Sequence, residues 1–201
     1  MARVADPKLP ELILEKAGHL FARYGFKKTT LEDIAGECEI AVGTLYLYYR
    51  NKEHILLEIH ERNATRFIQN LRDHIQKIES PIDKLKTLPM QRINDVWDWM
   101  SEGSHAHEVL PLLEEHWHSE QERCKPYLAF NTMLCEVLET GVQAGIFYIT
   151  QSIQTLADHI NLTTAGYLPP SHWVRTKTEA QLQCQIYIEI LIHSITRGNN
   201  D

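Results

Sequence analysis

The chain has 201 residues, 43% of them hydrophobic and 23% charged, with a formal net charge of −7. That composition excludes a disordered or collagen-like chain and suffices for one large domain, or for a small module on a larger one. The apolar run near 186–195 is broken by Glu189 and His193 and falls short of the roughly 20 residues that cross a bilayer, so no membrane partner is expected. The start, Met1-Ala-Arg-Val-Ala-Asp-Pro7, has no apolar h-region, and the expected location is the cytoplasm. Cys38, Cys124, Cys135 and Cys184 are far apart, form no CxxC pair and read as reduced, mostly buried thiols. The charge is unevenly placed. Residues 1–53 hold eight basic and eight acidic side chains, leaving twelve and nineteen for residues 54–201, so the whole excess of negative charge lies in the second part.

In chain order, Leu12, Ile13, Ala17, Leu20 and Phe21 recur at helical spacing and Gly25 follows as a stop, which predicts a first helix. Thr30-Leu-Glu-Asp33 has the form of a capping box and opens a short second helix to about Glu37. After a turn at Cys38–Ala41, the segment Val42–Tyr49 reads as a third helix, and a fourth runs from Lys52 to about Ile78. Ser80-Pro-Ile-Asp83 and Thr176-Lys-Thr-Glu179 each open a further helix, the first continuing through Trp99. Between them fall a segment 104–122 containing Pro111, a helix from about Pro126 to Ala144, and another from about Thr150 to Gly166. No strict apolar alternation argues for a strand. The predicted fold class is all-α.

Two short helices joined by a tight turn, followed by a lysine, make a helix-turn-helix pattern at 30–52. Spacing puts Ile34, Ala35, Ile40, Leu45 and Tyr49 in a shared core and leaves Val42, Gly43, Thr44, Tyr46, Leu47 and Tyr48 outside. Small residues at 43 and 44 permit close approach to a major groove, hydroxyls at 44, 46 and 48 suit phosphates or base edges, and Lys52 supplies a phosphate charge.

The run Ile13-Leu-Glu-Lys-Ala-Gly-His-Leu-Phe-Ala-Arg-Tyr-Gly-Phe-Lys-Lys-Thr-Thr-Leu-Glu-Asp-Ile-Ala35, with Val42-Gly-Thr-Leu-Tyr-Leu-Tyr-Tyr-Arg-Asn-Lys-Glu53, closely resembles the N-terminal domain of the tetracycline-repressor family over about a quarter of the chain. The resemblance implies a homodimeric repressor that binds a near-palindromic double-stranded DNA operator and is released when its C-terminal helical domain takes up a small molecule. It also implies base-facing positions at Val42, Thr44, Tyr46 and Leu47 and phosphate contacts at Thr30, Tyr48 and Lys52. The chain departs from the family pattern at Glu39, where a turn glycine is usual, at Ala41, where a capping serine is common, and at Val42 and Tyr48. On this reading residues 1–53 are the DNA-binding domain and residues 54–201 the ligand-binding and dimerisation domain.

In the second part, aromatic density points to a pocket for an apolar or amphipathic small molecule, bordered by some of Trp97, Met100, Trp117, Tyr127, Phe130 and Met133. A metal site is not expected: Glu114 and His118 are four apart, but His105-x-His107 and His116-x-His118 do not put both imidazoles of a pair on one helical face. Ile153, Leu156 and Ile160, with Leu182, Ile186 and Ile190, form stripes on the last two helices that suit a four-helix dimer interface. No GxSxG, Walker, GxGxxG or HExxH motif occurs, so neither an enzyme nor a cofactor is expected. The alternatives are an activator or co-repressor-type regulator of the same fold, or a DNA-binding structural module without a ligand.

Overall fold

A computed structural model describes residues 7–102, 108–113, 125–169 and 174–196. The only regular secondary structure among these residues is helix, with no strand, and no described helix is long and apolar enough to cross a membrane. The helices are α1 (Leu9–Tyr24), α2 (Leu31–Glu37), α3 (Val42–Leu45), α4 (Lys52–Gln76), α5 (Pro81–Glu102), α6 (residues 108–113), α7 (Lys125–Gln143), α8 (Ile153–Ala165) and α9 (Lys177–Thr196). The expected third helix is shorter than its apolar pattern suggested: after Leu45 the chain tightens, with Leu47 N–H on the Thr44 carbonyl and Tyr48 N–H on the Leu45 carbonyl. Such i→i+3 bonds wind the backbone as a 3₁₀ turn.

The chain forms two compact units. The first holds the described residues up to 64 with 102 and 108–113, and the second holds 65–101, 125–169 and 174–196. Ile13 and Ala17 of α1, Ile34 and Ala35 of α2, Leu45 of α3 and Ile55 of α4 are all 0–1% exposed and form the first core, joined by Val109 and Leu113 of α6. The second unit has its own core, in which Leu85, Leu88 and Ile93 of α5 cluster with Phe130, Leu134 and Leu138 of α7, Ala157 and Ile160 of α8, and Cys184 and Ile188 of α9. Leu156 and Ile160, candidates for an interface by spacing, are therefore 4% and 0% exposed within the protomer itself.

Local chemistry explains where the helices start and stop. Ser152 caps α8 by accepting the Thr155 N–H, and Ser80 accepts the Asp83 N–H ahead of Pro81, the first residue of α5. At the end of α7, the Ile146 and Phe147 amides fold back onto the Gly141 carbonyl, at 2.9 and 3.0 Å, and the Phe147 ring lies against the glycine. A β-carbon on residue 141 would meet that ring at 2.0 Å, so only hydrogen fits. The ion pairs Arg72–Glu136 and Lys177–Asp98 are partly exposed and contribute little to stability. Cys38 and Cys184 are buried free thiols and Cys135 is a half-buried one, while Cys124 lies outside the described residues. Gly141→Ala is expected to lower stability by about 1–3 kcal/mol through overpacking against Phe147, measured by chemical denaturation, whereas Val142→Ala next to it, at an exposed site, stays within about 0.5 kcal/mol of the parent.

Candidate nucleic-acid interface

The capping box expected at Thr30 forms in full. The Thr30 Oγ1 accepts the Asp33 N–H at 3.1 Å, and the Asp33 carboxylate accepts both the Thr30 N–H, at 2.8 Å, and the Thr30 hydroxyl, at 2.7 Å. These bonds, the hydroxyl's first, hold the Asp33 carboxyl below its ordinary range. The stabilisation is therefore complete above the unfolded pKa and lost as pH falls through the lower folded value.

At its other end α2 stops on a left-handed residue. Glu39 has φ 55°, the one non-glycine positive φ among the described residues. The Ile40 N–H reaches the Ala35 carbonyl and the Glu39 N–H the Gly36 carbonyl, the two bonds of a Schellman motif. This is the position at which the sequence departs from a turn glycine, and the fold keeps the glycine conformation with a glutamate in it. Ala41 then stands extended as the N-cap of α3 with no side-chain acceptor, and its carbonyl accepts the Thr44 and Leu45 amides.

From this corner α3 presents its outer side. Leu45 and Tyr49 are buried, at 0% and 6% exposure, while Tyr46 is 55% and Leu47 79% exposed. Val42, Thr44 and Tyr48 are half-buried, Val42 and Tyr48 packing their inner edges on the core. An isobutyl group and a phenol thus stand in solvent, and the hydroxyl-bearing residues at 44 and 48 are half-buried. Thr30 is exposed.

Lys52 takes a different position from the other candidate contacts. Its Nζ donates to the carbonyls of Phe26 at 2.6 Å and Thr29 at 2.8 Å, with Lys27 O at 3.5 Å, and lies 4.4 Å from the centre of the Phe26 ring. The ammonium thus pins the loop between α1 and α2, the loop that ends in Thr30. Asn51 caps α4 beside it by accepting the His54 N–H. Sequence spacing has no means of registering this lysine's engagement with backbone carbonyls, because it sees side chains only.

The expected small-molecule residues belong to the second unit. Phe130 and Met133 are buried, at 1% and 2% exposure; Trp97, Met100 and Tyr127 are half-buried; and Trp117 lies outside the described residues, as do His105, His107, Glu114, Glu115, His116 and His118. Trp97, Phe130 and Met133 share one core, and the Trp97 Nε1 donates to the Tyr167 carbonyl. Of the interface candidates, Leu182, Ile186 and Ile190 are exposed, at 53%, 43% and 66%, and Ile153 is half-buried. What the sequence reading missed is polar and buried: Arg92, Asn161 and Thr164, each within an apolar stripe of its helix. A non-apolar residue at a core spacing was the available signal. Among the described residues no cluster of three His, Cys, Asp or Glu is arranged to hold a metal.

Relieving the strained corner gives a direct test. Glu39→Gly removes a left-handed penalty of about 1–2 kcal/mol and adds about 0.4–1 kcal/mol of unfolded-state entropy, so thermal unfolding is expected to show a small net gain; a fall in melting temperature would contradict the Glu39 conformation described here.

Residues 13–59 match the model for bacterial regulatory proteins of the tetR family. Over 191 residues the chain is 26% identical to the HTH-type transcriptional repressor KstR2 of Mycobacterium tuberculosis, covering 92% of each. It is 32% identical over 113 residues to the uncharacterized HTH-type transcriptional regulator YuxN of Bacillus subtilis, covering 52% of this chain but only 37% of that relative. Among solved structures it shares its fold with the transcriptional regulator FadR of Bacillus subtilis in complex with stearoyl-CoA, at a TM-score of 0.59 and 20% identity, covering 92% of this chain and 98% of that one. With the helix-turn-helix geometry, the capped second helix and the outward α3 already described, these matches show that residues 13–59 form a helix-turn-helix domain of the tetR type and that the chain is similar along most of its length to an HTH-type transcriptional repressor.

Proposed function

We propose that the protein is a cytoplasmic homodimeric repressor that binds a near-palindromic operator and leaves it when a small molecule enters the second unit. The observation that carries this reading is the outward side of α3 and of the turn that follows it, where Tyr46 and Leu47 stand exposed while Leu45 and Tyr49 are buried. Soluble proteins do expose single apolar residues. An exposed phenol and an exposed isobutyl group in the turn that closes the second helix of a helix-turn-helix instead suit thymine methyls and base edges in a major groove. Val42 and Thr44 complete the base-reading set, and Thr30 and Tyr48 reach phosphates. Lys52 holds the loop that carries Thr30 and adds its charge to the phosphate field, so it serves DNA binding in part by positioning. Residues 1–53 act as the reading head and 54–201 as the regulatory and dimerisation part, with α4 running from one into the other.

The test begins with selection of duplexes from a random pool, which is expected to enrich a near-palindromic motif; enrichment of none removes the reading. On that motif, Tyr46→Phe, Leu47→Ala or Val42→Ala changes which base pairs are preferred, by about 1–3 kcal/mol for each lost base contact. Lys52→Ala weakens all sequences alike, reduces the slope of affinity against salt and lowers the melting temperature, because it removes a charge-assisted bond to the α1–α2 loop worth about 1.5–3 kcal/mol.

Dimerisation is proposed through α9 with α8. Ala180, Cys184, Ile188 and Ile192 point into the protomer, whereas Leu182, Ile186 and Ile190, on the opposite side of the same helix, are exposed at four-residue spacing, and Leu162 of α8 is 68% exposed. A helix apolar on two sides needs two partners, and the second copy of an isologous pair offers the same stripe. Ile186→Asp with Ile190→Asp is expected to give a helical monomer in sedimentation that has lost specific DNA binding. Wild-type protein that sediments as a monomer at tens of micromolar rules the dimer out.

The ligand-responsive part draws support from the relatives: the FadR structure holds stearoyl-CoA, and the SmeT structure, similar at a TM-score of 0.62 and 17% identity, is a complex with triclosan. The mechanism is a shift of population, in which an effector that binds better to the conformation unable to match two half-sites weakens operator binding by its differential affinity.

A further inference from the structure

The second unit buries a cation. Arg92 of α5 is 7% exposed, and the groups that hold it are all neutral. Its Nη1 donates to Asn161 Oδ1 at 2.6 Å, and its Nη2 donates to Thr164 Oγ1 at 2.7 Å and to the Asn161 carbonyl at 3.2 Å. The Phe130 ring centre lies 4.1 Å from the guanidinium carbon. These bonds use three of the five N–H donors of a guanidinium, and the Nε has no partner. No aspartate or glutamate among the described residues pairs with it. Burial pulls its pKa down to about 10, still far enough above neutrality to leave the charge in place. One residue beyond Phe130 on α7, Asn131 is also buried, at 5% exposure, with its Oδ1 unpartnered.

A buried charge without an opposite charge is strongly unfavourable, and an apolar side chain of similar volume is the better choice wherever only packing matters. The same arrangement is well suited to receiving an anion. The guanidinium is already stripped of water, stacked on an aromatic face and oriented by Asn161, whose Nδ2 is in turn held by the Tyr127 carbonyl at 3.3 Å. An incoming carboxylate supplies the missing charge and an acceptor for Nε, in the charge-assisted geometry that arginine offers. A cavity of about 330 Å³ opens between α5 and α9, with Met90 and Ile188 as apolar walls and Gln91, Gln185, Lys86 and Glu189 as polar ones; Arg92 follows Gln91 on α5 but is not itself part of the wall. Cys184, a buried thiol of α9, lies in that wall.

We infer that Arg92 is the anchor for the carboxylate of an apolar acid, and that such an acid is the effector of this regulator. The inference rests on the reading of the second unit as a ligand-binding domain and adds the chemical class of the ligand. The anchor is the charge, the neutral clamp of Asn161 and Thr164 fixes its direction, and Phe130 excludes water from one face.

The experiment uses the full chain with its selected operator duplex. Straight-chain fatty acids from octanoate to stearate, with benzoate and phenylacetate, are compared with the primary alcohols of the same skeletons, reading the melting temperature and operator affinity. At least one acid is expected to raise the melting temperature with the logarithm of its concentration above its Kd and to weaken operator binding, with the matched alcohol at least about tenfold less effective. Arg92→Met is expected to lose the acid response and Arg92→Lys to retain part of it. If neither variant folds, the comparison of acid with alcohol on the wild-type protein still decides. Equal action of acids and alcohols, no stabilisation by any acid, or an undiminished acid response in Arg92→Met each overturns the anchor. Operator release by the alcohols or by coenzyme A thioesters, with the acids inactive, overturns the anchor while leaving the effector reading intact. Stabilisation by acids that depends on Arg92 but leaves operator binding unchanged supports the anchor and removes the effector reading.

Discussion

The outward presentation of α3 depends on a single backbone torsion. With Glu39 in the left-handed region, the chain leaves α2 through two capping bonds, turns Ile40 back toward the core and starts α3 within two residues. A right-handed Glu39 would prolong α2, and Leu45 and Tyr49 could not then both face inward. Residues of the first core serve to hold this corner: Ile13 and Ala17 of α1 and Ile55 of α4 close the space behind it, and the Lys52 ammonium ties down the loop that enters α2. A glutamate accepts the torsion because its side chain is exposed and has no packing to satisfy, but it carries the steric penalty of a β-carbon all the same.

Much of this was legible from residue types and spacing. Thr30 and Asp33, three apart before an apolar run, announced a reciprocal cap, and the period of Ile13, Ala17, Leu20 and Phe21 identified the buried side of α1. The split between Leu45 and Tyr49 on one side and Tyr46 and Leu47 on the other followed from the same periodicity. Two kinds of fact were out of reach. Spacing sorts side chains by polarity, so it passed over Arg92 and Asn161, which occupy core positions while being polar. It also cannot tell which of two apolar stripes is already covered: Leu156 and Ile160 looked as available as Leu182 and Ile186, yet the first pair is consumed by the protomer and the second is not. Covering depends on where α5 and α7 lie, and that is tertiary information.

The two cores solve different problems. The first is apolar almost throughout, with the buried Thr29 hydroxyl satisfied by the Gly25 carbonyl, as befits a rigid platform for an exposed helix. The second threads a polar network through its apolar packing, linking α5, α7 and α8 by way of Arg92, Phe130, Asn161 and Thr164. Hydrogen-bonded polar groups in a low-dielectric interior fix relative geometry more sharply than apolar contacts, and a change of charge state or occupancy among them is felt at every helix they touch.

Two glycines mark opposite sources of constraint. Gly141 is fixed from within, since its missing β-carbon is the space taken by the Phe147 ring. Gly43 has nothing within 4 Å of where a β-carbon would stand, and its φ is not in the left-handed region. A helical glycine costs about 1 kcal/mol relative to alanine, so at position 43 the fold forgoes stability that a single methyl would restore without a clash. No part of the protomer asks for that absence. On the proposed reading of α3 as the helix that enters a major groove, the clearance at Gly43 lets its backbone approach the duplex closer by the width of one methyl group.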